Sequence, residues 1–146
     1  MIKNKPYMPV KSSSEEWETP QALFDKWDKI YHFTLDAAAS KENAKCKKYF
    51  TKEDNALTQD WGDNVVWLNP PYNVDALFDF TKKVLSAAIR GATIVMLVPS
   101  KTDQEWFHLL WNQIHLNVKF DWVRGRVKFV GAKNSATIPN VVIIVN

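Results

Sequence analysis

The stretch Val65-Val66-Trp67-Leu68-Asn69-Pro70-Pro71-Tyr72 decides how the rest of this 146-residue chain is interpreted. Its first four residues form an apolar run of the length expected for a central strand of a parallel sheet. The two prolines then fix two φ angles and remove two backbone donors, so the strand must end there. Asn69 is held extended because it precedes a proline. The pattern therefore predicts that Asn69 and Tyr72 lie at the carboxyl edge of the sheet, where open α/β folds bind ligands.

A turn of this kind offers the groups needed to hold a planar exocyclic amine. The Asn69 side chain has a carbonyl acceptor, and the backbone carbonyls of Asn69 and Pro70 are free of the ladder once the strand has ended. Two converging acceptors match the two N–H donors of such an amine and would stabilise the positive charge that grows on its nitrogen during attack. Tyr72 adds a flat face on which a heteroaromatic base can stack. The alternative interpretation is structural, a proline-rich turn with an Asn cap and a packing tyrosine.

The segments on either side predict an alternation of strands and helices. Helical spacing of apolar residues predicts helices that begin after Thr19, at Val74 and near Asp103. The first of these should have Thr19 as its N-cap and Pro20 as its first helical residue. This rhythm is typical of a right-handed parallel sheet. Short apolar runs predict its strands, at 32–35, 65–68, 93–98, 115–118 and 140–145.

Basic and apolar residues alternate in Arg124-Gly125-Arg126-Val127-Lys128-Phe129. The alternation predicts a strand with one basic and one apolar face, paired with the run at 140–145 as an antiparallel hairpin that closes the sheet. The basic face, Arg124, Arg126 and Lys128, is a candidate phosphate-binding surface. The alternative is solvated charge that protects an edge strand from pairing.

Asn69-Pro70-Pro71-Tyr72 resembles the catalytic (D/N)PP(Y/F) motif of amino-methyltransferases that use S-adenosylmethionine. The wider chain resembles the phage-type DNA N6-adenine methyltransferase family over about residues 15 to 146. The resemblance implies a Rossmann-like α/β fold with an abbreviated, mostly parallel sheet and a C-terminal antiparallel hairpin. The other matching pieces, in the family's order around that motif, are Trp17-Glu18-Thr19-Pro20, Leu35-Asp36-Ala37-Ala38-Ala39, Asp60-Trp61-Gly62 and Gly125-Arg126-Val127-Lys128-Phe129.

The resemblance also implies methyl transfer from S-adenosylmethionine to N6 of an adenine that is flipped out of DNA, without a covalent enzyme intermediate or a metal. Asn69 and Pro70 would orient and polarise the amine, Pro71 would rigidify the turn, and Tyr72 would stack on the base. Two alternatives stay open. The same motif type methylates RNA bases and the glutamine amide of proteins, and a non-catalytic DNA-binding module could share the fold.

Three segments are expected to hold the cofactor by the same resemblance. Thr19 would lie near the methionine carboxylate, Asp36 would face the methionyl ammonium, and Asp60 would accept a hydrogen bond from the adenine amino group. Alanines after Asp36 replace the usual glycines and still leave room for a ligand. The expected cofactor-binding residues are Trp17, Thr19, Pro20, Asp36, Ala37, Ala38, Asp60 and Asn69, and the expected DNA-binding residues are Lys101, Arg124, Arg126 and Lys128.

No separate target-recognition domain is recognised in the sequence. Sequence readout is therefore expected from short loops, at 73–75, 101–104 or 131–136, or from a partner subunit. Residues 15–146 are expected to form one catalytic domain after a polar, flexible arm at residues 1–14.

Composition limits the remaining classes of function. Hydrophobic residues at 46% and charged residues at 24% are ordinary for a soluble globular protein, and the net charge of +3 is compatible with nucleic acid. The one cysteine, Cys46, excludes an intramolecular disulfide, and its context offers no nucleophile for covalent cytosine methylation. No apolar run approaches the roughly 20 residues that span a bilayer, and no signal-peptide core is recognised. We therefore expect a cytoplasmic protein, in the host cytoplasm if the chain is phage-encoded.

Overall fold

The structure, a computed structural model, describes residues 16–146, and the predicted arm at residues 1–14 lies outside the described residues. The strands are β1 (Leu35–Asp36), β2 (Val65–Leu68), β3 (Thr93–Pro99), β4 (Val118–Trp122) and β5 (Asn140–Val145). The helices are α1 (Gln21–Tyr31), α2 (Val74–Ile89) and α3 (Glu105–Trp111), and a 3₁₀ turn covers Ala56–Thr58.

Residues 16–146 form one five-stranded sheet in the order β1-β2-β3-β5-β4. β1, β2 and β3 pair in parallel, whereas β5 runs antiparallel to both of its neighbours, β3 and β4. Every strand except β5 therefore points the same way. This confirms the mostly parallel α/β sheet, closed by a C-terminal antiparallel hairpin, that the sequence predicts.

The first strand of that hairpin is not the segment that the alternation predicted. β5 pairs with Val118–Trp122, and residues 124–129 form an irregular loop. The alternation itself is real, because Val127 and Phe129 are buried while Arg124, Arg126 and Lys128 are exposed. An extended loop that packs one side against a core alternates its side chains as a strand does, so the pattern could not show which segment pairs with β5.

The outer edge of the sheet is abbreviated at β1. Pairing with β2 begins at Leu35, at the end of the predicted strand 32–35. Beyond β1, the chain adds an isolated bridge in which the Asp36 N–H donates to Lys48 O at 3.0 Å and the Phe50 N–H donates to Asp36 O at 2.9 Å. The bridge fixes the backbone at the tip of β1 and so positions the residues that follow it.

β2 forms the centre of the fold and has the bounds that the sequence predicts. Val66 and Leu68 pack into the core on the side of α2 and α3, whereas Trp67 packs on the other face, edge-on to Phe24 of α1 with ring centroids 5.5 Å apart. Each fully buried large apolar side chain contributes roughly 1.5–3 kcal/mol. The turn after Leu68 is thus anchored from both sides of the sheet. None of the helices within residues 16–146 has the length and apolar character needed to cross a membrane.

Candidate active site

The carboxyl ends of the parallel strands bring four polar or turn-forming residues to one edge of the sheet. Asp36 ends β1, Asn69 follows β2, and Pro99 ends β3. Asn140, the first residue of β5, lies opposite Pro99 in the antiparallel register. The edge predicted to bind ligands is therefore where the candidate site residues meet.

The amide of Asn69 is held in one orientation. Its Nδ2 donates to the Trp17 carbonyl oxygen and, at 3.0 Å, to Thr19 Oγ1. Because a carbonyl oxygen can only accept, the amide nitrogen must face Trp17 and the amide oxygen must face away. Asn69 Oδ1 is buried and has no hydrogen-bond partner within residues 16–146. An unpaired buried acceptor costs roughly 1–3 kcal/mol, and an N–H donor of a ligand would satisfy it.

Thr19 does not cap α1 as the sequence predicted. Pro20 occupies the N-cap position of the helix and makes no side-chain capping bond. Thr19 is buried, and its hydroxyl oxygen instead accepts the hydrogen bond from Asn69. The capping pattern failed because a residue 50 positions away binds the same hydroxyl.

A cavity of about 470 Å³ opens beside the turn after β2, and we call it the large cavity. Aromatic side chains form one side of it, because Trp17, Tyr72 and Phe129 all line it and the last two meet edge-to-face at 5.9 Å. Lys101 and the loop at 132–138 supply polar groups. Of the three loops considered for sequence readout, those at 101–104 and 131–136 thus contribute to this cavity, whereas residues 73–75 do not line it.

Tyr72 is fixed by its hydroxyl group. The hydroxyl donates to the Leu97 carbonyl oxygen at 3.1 Å and accepts from Asn140 Nδ2 at 3.5 Å. Burial raises the pKa of the Tyr72 hydroxyl well above its ordinary value, so the ring stays neutral. The ring therefore has little freedom to rotate out of the cavity wall.

Asn140 is a site residue that sequence reasoning missed. It is buried, it donates to the Val98 carbonyl oxygen at 3.3 Å, and its Oδ1 has no partner within residues 16–146. The sequence contains one indication of this role, because Asn140 is the single amide at the start of the otherwise apolar run 140–145. That pattern by itself predicts only the first residue of a strand.

A second, smaller opening lies on the other side of Trp17, and we call it the small cleft. It has a volume of about 20 Å³, which is room for about one water molecule. Asp36 and Ala38 line it at the tip of β1, together with Thr19 and Asn69. Trp17 lines both the large cavity and the small cleft.

The Asp36 carboxylate is buried but not isolated. It accepts hydrogen bonds from the backbone N–H of Lys45 at 3.0 Å and of Ala38 at 3.4 Å. Burial nevertheless raises the pKa of the carboxyl from 3.8 to about 6, against the lowering effect of those bonds. The group is therefore poised to change charge just below neutral pH.

Lys45 borders the small cleft. Its Nζ lies 3.7 Å from the Glu18 carboxylate and donates to Gln21 Oε1 at 3.0 Å.

The remaining predicted residues lie further from the two openings. Asp60 is exposed, accepts a hydrogen bond from Gly62 N–H at 2.8 Å and lines neither opening. Pro20 lines neither opening, and Ala37 is buried beneath the tip of β1. Pro70 is buried and Pro71 half-buried, as expected of a turn packed on the sheet edge.

Residues 8–141 match the sequence profile of the family described as DNA N-6-adenine-methyltransferase (Dam). The DNA N-6-adenine-methyltransferase of Escherichia phage T1 is 32% identical over 136 residues, which cover 84% of this chain and 56% of the phage protein. The DNA N-6-adenine-methyltransferase of Haemophilus phage HP1 (strain HP1c1) is 32% identical over 101 residues, 68% of this chain and 58% of that protein. The chain thus spans a little over half the length of these two curated relatives.

The matched range begins before Trp17 and ends within β5, so it contains Trp17, Asn69 and Tyr72, which line the two openings. The similarity therefore covers the candidate site and the strands that form it. This chain belongs to the DNA N-6-adenine-methyltransferase (Dam) family.

Proposed function

We propose that this protein transfers a methyl group from S-adenosylmethionine to N6 of adenine in DNA. The observation that carries the proposal is the buried Oδ1 of Asn69, which has no partner among residues 16–146 while the amide nitrogen is fixed by Trp17 and Thr19. An acceptor so held is prepared for an N–H donor such as the adenine amino group. It also belongs to a residue whose side chain is hydrogen-bonded to the backbone of Trp17, which lines both openings.

The large cavity suits the target base. Its volume of about 470 Å³ falls within the roughly 300–1,000 Å³ range of small-molecule sites. Tyr72, Trp17 and Phe129 offer flat faces for a heteroaromatic ring. Because a base stacked in a duplex cannot enter such a cavity, the adenine must be flipped out of the helix.

The small cleft suits the methionyl end of the cofactor. The buried Asp36 carboxylate is a partner for the methionyl ammonium, and Ala38 leaves the backbone accessible. The ion pair of Lys45 and Glu18 lies at the border of the same cleft. When bound, S-adenosylmethionine supplies an electrophilic methyl group on a sulfonium sulfur. Asp60 is kept as a candidate for the cofactor's adenine on the family's sequence pattern alone.

Asn69 and Pro70 would act directly on the reacting amine. Asn69 Oδ1 and the Pro70 carbonyl oxygen accept its two N–H groups and stabilise the positive charge that grows as the new N–C bond forms and the C–S bond breaks. Contacts of this electrostatic type contribute roughly 10²–10³-fold to rate when the donor or acceptor is preorganised. The proton then leaves the cationic nitrogen to water, so no dedicated base is required.

DNA would contact Lys101, which lines the large cavity, and the exposed side chains of Arg124 and Lys128. Phosphate contacts of this kind fix the position of the duplex without reading its sequence. We propose that the reaction takes place in the cytoplasm, which is the host cytoplasm if the chain is phage-encoded.

The proposal is tested by incubating the protein with labelled S-adenosylmethionine and unmethylated DNA and measuring label in N6-methyladenine after digestion to nucleosides. Asn69→Ala should abolish the label, and the matched control Asn112→Ala, at an exposed asparagine that lines neither opening, should not. The same assay is run in parallel with RNA and with protein. If the protein binds the cofactor but label appears only in RNA or in protein glutamine, that molecule and not DNA is the substrate. The absence of both label and cofactor binding would favour a non-catalytic DNA-binding module.

A further inference from the structure

β4 lies at the end of the sheet opposite β1 and, within residues 16–146, pairs only with β5. Asn117 and Asn146 exchange both backbone hydrogen bonds, at 2.8 and 3.0 Å, and Val123 N–H donates to Asn140 O at 3.1 Å. Because such pairs alternate along an antiparallel ladder, the odd-numbered residues of β4 direct their backbone groups to β5. The backbone N–H and C=O groups of the even-numbered residues therefore point outward, at Val118, Phe120 and Trp122.

Large apolar side chains lie beside this open edge. Trp122 is 52% exposed and Trp111 of α3 is 60% exposed. Both contact the half-buried Phe120, with ring centroids 6.0 and 5.1 Å away. Single exposed apolar residues are ordinary, but aromatic side chains grouped along an unpaired strand edge mark an interaction surface.

The charges of β4 define which partner fits this edge. Lys119 and Asp121 lie on the opposite face of the strand from Phe120, and neither forms an ion pair within residues 16–146. If two copies of β4 pair antiparallel about Phe120, Lys119 of each copy lies opposite Asp121 of the other. A register centred on Lys119 or on Asp121 would instead place two like charges opposite each other, which destabilises a sheet.

The same register also satisfies the backbone. It makes Phe120 pair with Phe120, and Val118 pair with Trp122, through the N–H and C=O groups that already point outward. Lys119 and Asp121 then form the closer, non-hydrogen-bonded pairs of the ladder, where cross-strand side chains interact most strongly. Backbone, aromatic side chains and charges thus select one arrangement.

We propose that two copies of this chain associate through β4, antiparallel and centred on Phe120, to form one continuous sheet across a twofold axis. Such an interface is self-complementary, as a twofold contact must be. The axis is perpendicular to the sheet, so both copies of α3 lie on the same face and their Trp111 side chains approach across the new edge.

The test is the oligomeric state of the full chain, measured by sedimentation velocity from low to high micromolar concentration. The wild-type protein should form a concentration-dependent dimer. Lys119→Asp and Asp121→Lys should each weaken the dimer at least about tenfold, because each places like charges opposite each other twice. The double variant Lys119→Asp with Asp121→Lys restores opposite charges and should recover the dimer, while circular dichroism verifies that every variant is folded.

Three results would overturn the proposal: a wild-type protein that stays monomeric, single variants that dimerise like the wild type, or a double variant that does not recover. Hydrogen exchange adds a residue-level measurement. The amides of Phe120 and Trp122 should become protected as the concentration rises. Protection that is already complete in a monomer would show that another part of the same chain covers β4, and the proposed dimer would be excluded.

Discussion

The side-chain nitrogen of Asn69 donates a hydrogen bond to the Thr19 hydroxyl oxygen at 3.0 Å, and this bond joins the turn after β2 to the segment before α1. A second bond from the same nitrogen to the Trp17 carbonyl oxygen fixes the amide further. Together they leave the amide oxygen without a partner in the described part of the chain, residues 16–146. Trp17 and Thr19 therefore act as positioning residues for the oxygen that we propose polarises the amine.

Removal of the Thr19 hydroxyl should lower kcat with little loss of folding. Thr19→Val keeps the volume of the buried side chain but removes one acceptor, and a hydrogen bond of this kind is worth roughly 0.5–1.5 kcal/mol. If that bond orients Asn69 for catalysis, kcat falls about two- to tenfold. Thr19→Ser keeps a hydroxyl and should retain most of the activity. Steady-state kinetics with both variants, beside thermal melts, checks this, and an unchanged kcat in Thr19→Val would remove Thr19 from the positioning role.

Asn69→Asp should destabilise this protein at neutral pH even though the (D/N)PP(Y/F) motif, which residues 69–72 resemble, accepts either residue. A carboxylate oxygen would then face the Trp17 carbonyl oxygen, where Asn69 now donates. The lost bond and the unpaired acceptors lower the free energy of unfolding by roughly 1–3 kcal/mol. Urea unfolding measures this loss relative to the wild type.

Acid should partly rescue the Asn69→Asp variant. The protonated form of the introduced carboxyl can again donate a hydrogen bond to the Trp17 carbonyl oxygen, so the stability difference from the wild type should shrink as the pH falls. Asn69→Ala places no titratable group at this position and serves as the control, because its stability difference from the wild type should stay constant with pH. An Asn69→Asp variant that is as stable as the wild type at neutral pH would contradict the assigned amide orientation.

The turn after β2 could be predicted from the sequence because its determinants are local. A short apolar run followed by two prolines permits few structures, and β2 has the bounds that the sequence indicated. The buried face of α2 likewise follows from helical spacing, and the helix begins at Val74 as that spacing predicts. Elements specified by their own residues were therefore predictable.

The roles of Thr19 and of residues 124–129 depended on distant partners. A Thr-Pro pair is a good helix start in isolation, but the bond from Asn69 is made by a residue 50 positions away. Alternation in 124–129 indicated an extended backbone, but β5 pairs with Val118–Trp122. A local pattern cannot show whether the Thr19 hydroxyl caps a helix or binds Asn69, or which of two extended segments pairs with β5.

Cofactor affinity should fall in acid because Asp36 titrates. Burial raises the pKa of its carboxyl to about 6 in the free protein. A bound methionyl ammonium favours the charged carboxylate, so the dissociation constant should be constant above that pKa and rise towards tenfold per pH unit below about pH 6. Tryptophan fluorescence titrations with S-adenosylmethionine measure this without turnover. In Asp36→Asn the affinity should be weaker and its dependence on pH in this range should be lost.

The raised pKa of Asp36 also affects the stability of the free protein, which should fall with rising pH whereas cofactor affinity increases. Because the native state holds the Asp36 proton more tightly than the unfolded chain, ionisation of this carboxyl costs stability as pH rises from 3.8 through about 6. The cofactor should therefore raise the melting temperature more above pH 6 than below it. An equal shift at both pH values would show that Asp36 does not face the cofactor's ammonium.

Arg126 differs from the two cations that flank it. Its Nη1 donates to the Thr137 carbonyl oxygen at 3.1 Å, within the loop that lines the large cavity. Arg124 and Lys128 are exposed, and no ion pair involves either of them within residues 16–146. We therefore expect Arg126 to hold the loop at 132–138 in place, and Arg124 and Lys128 to contact phosphate.

Salt dependence separates these roles. Arg124→Ala and Lys128→Ala should each reduce the slope of log K against log salt for duplex DNA by about 0.9, with kcat unchanged at saturating DNA. Arg126→Ala should instead lower kcat, because it releases the loop that lines the large cavity, where we propose the target base binds. Lys41→Ala serves as the control: this lysine is exposed and lines neither opening, so both the slope and kcat should be unchanged. Fluorescence anisotropy of labelled DNA across a salt series gives the slopes. Unchanged slopes in both Arg124→Ala and Lys128→Ala would exclude this segment from the DNA interface, and a normal kcat in Arg126→Ala would exclude the loop from catalysis.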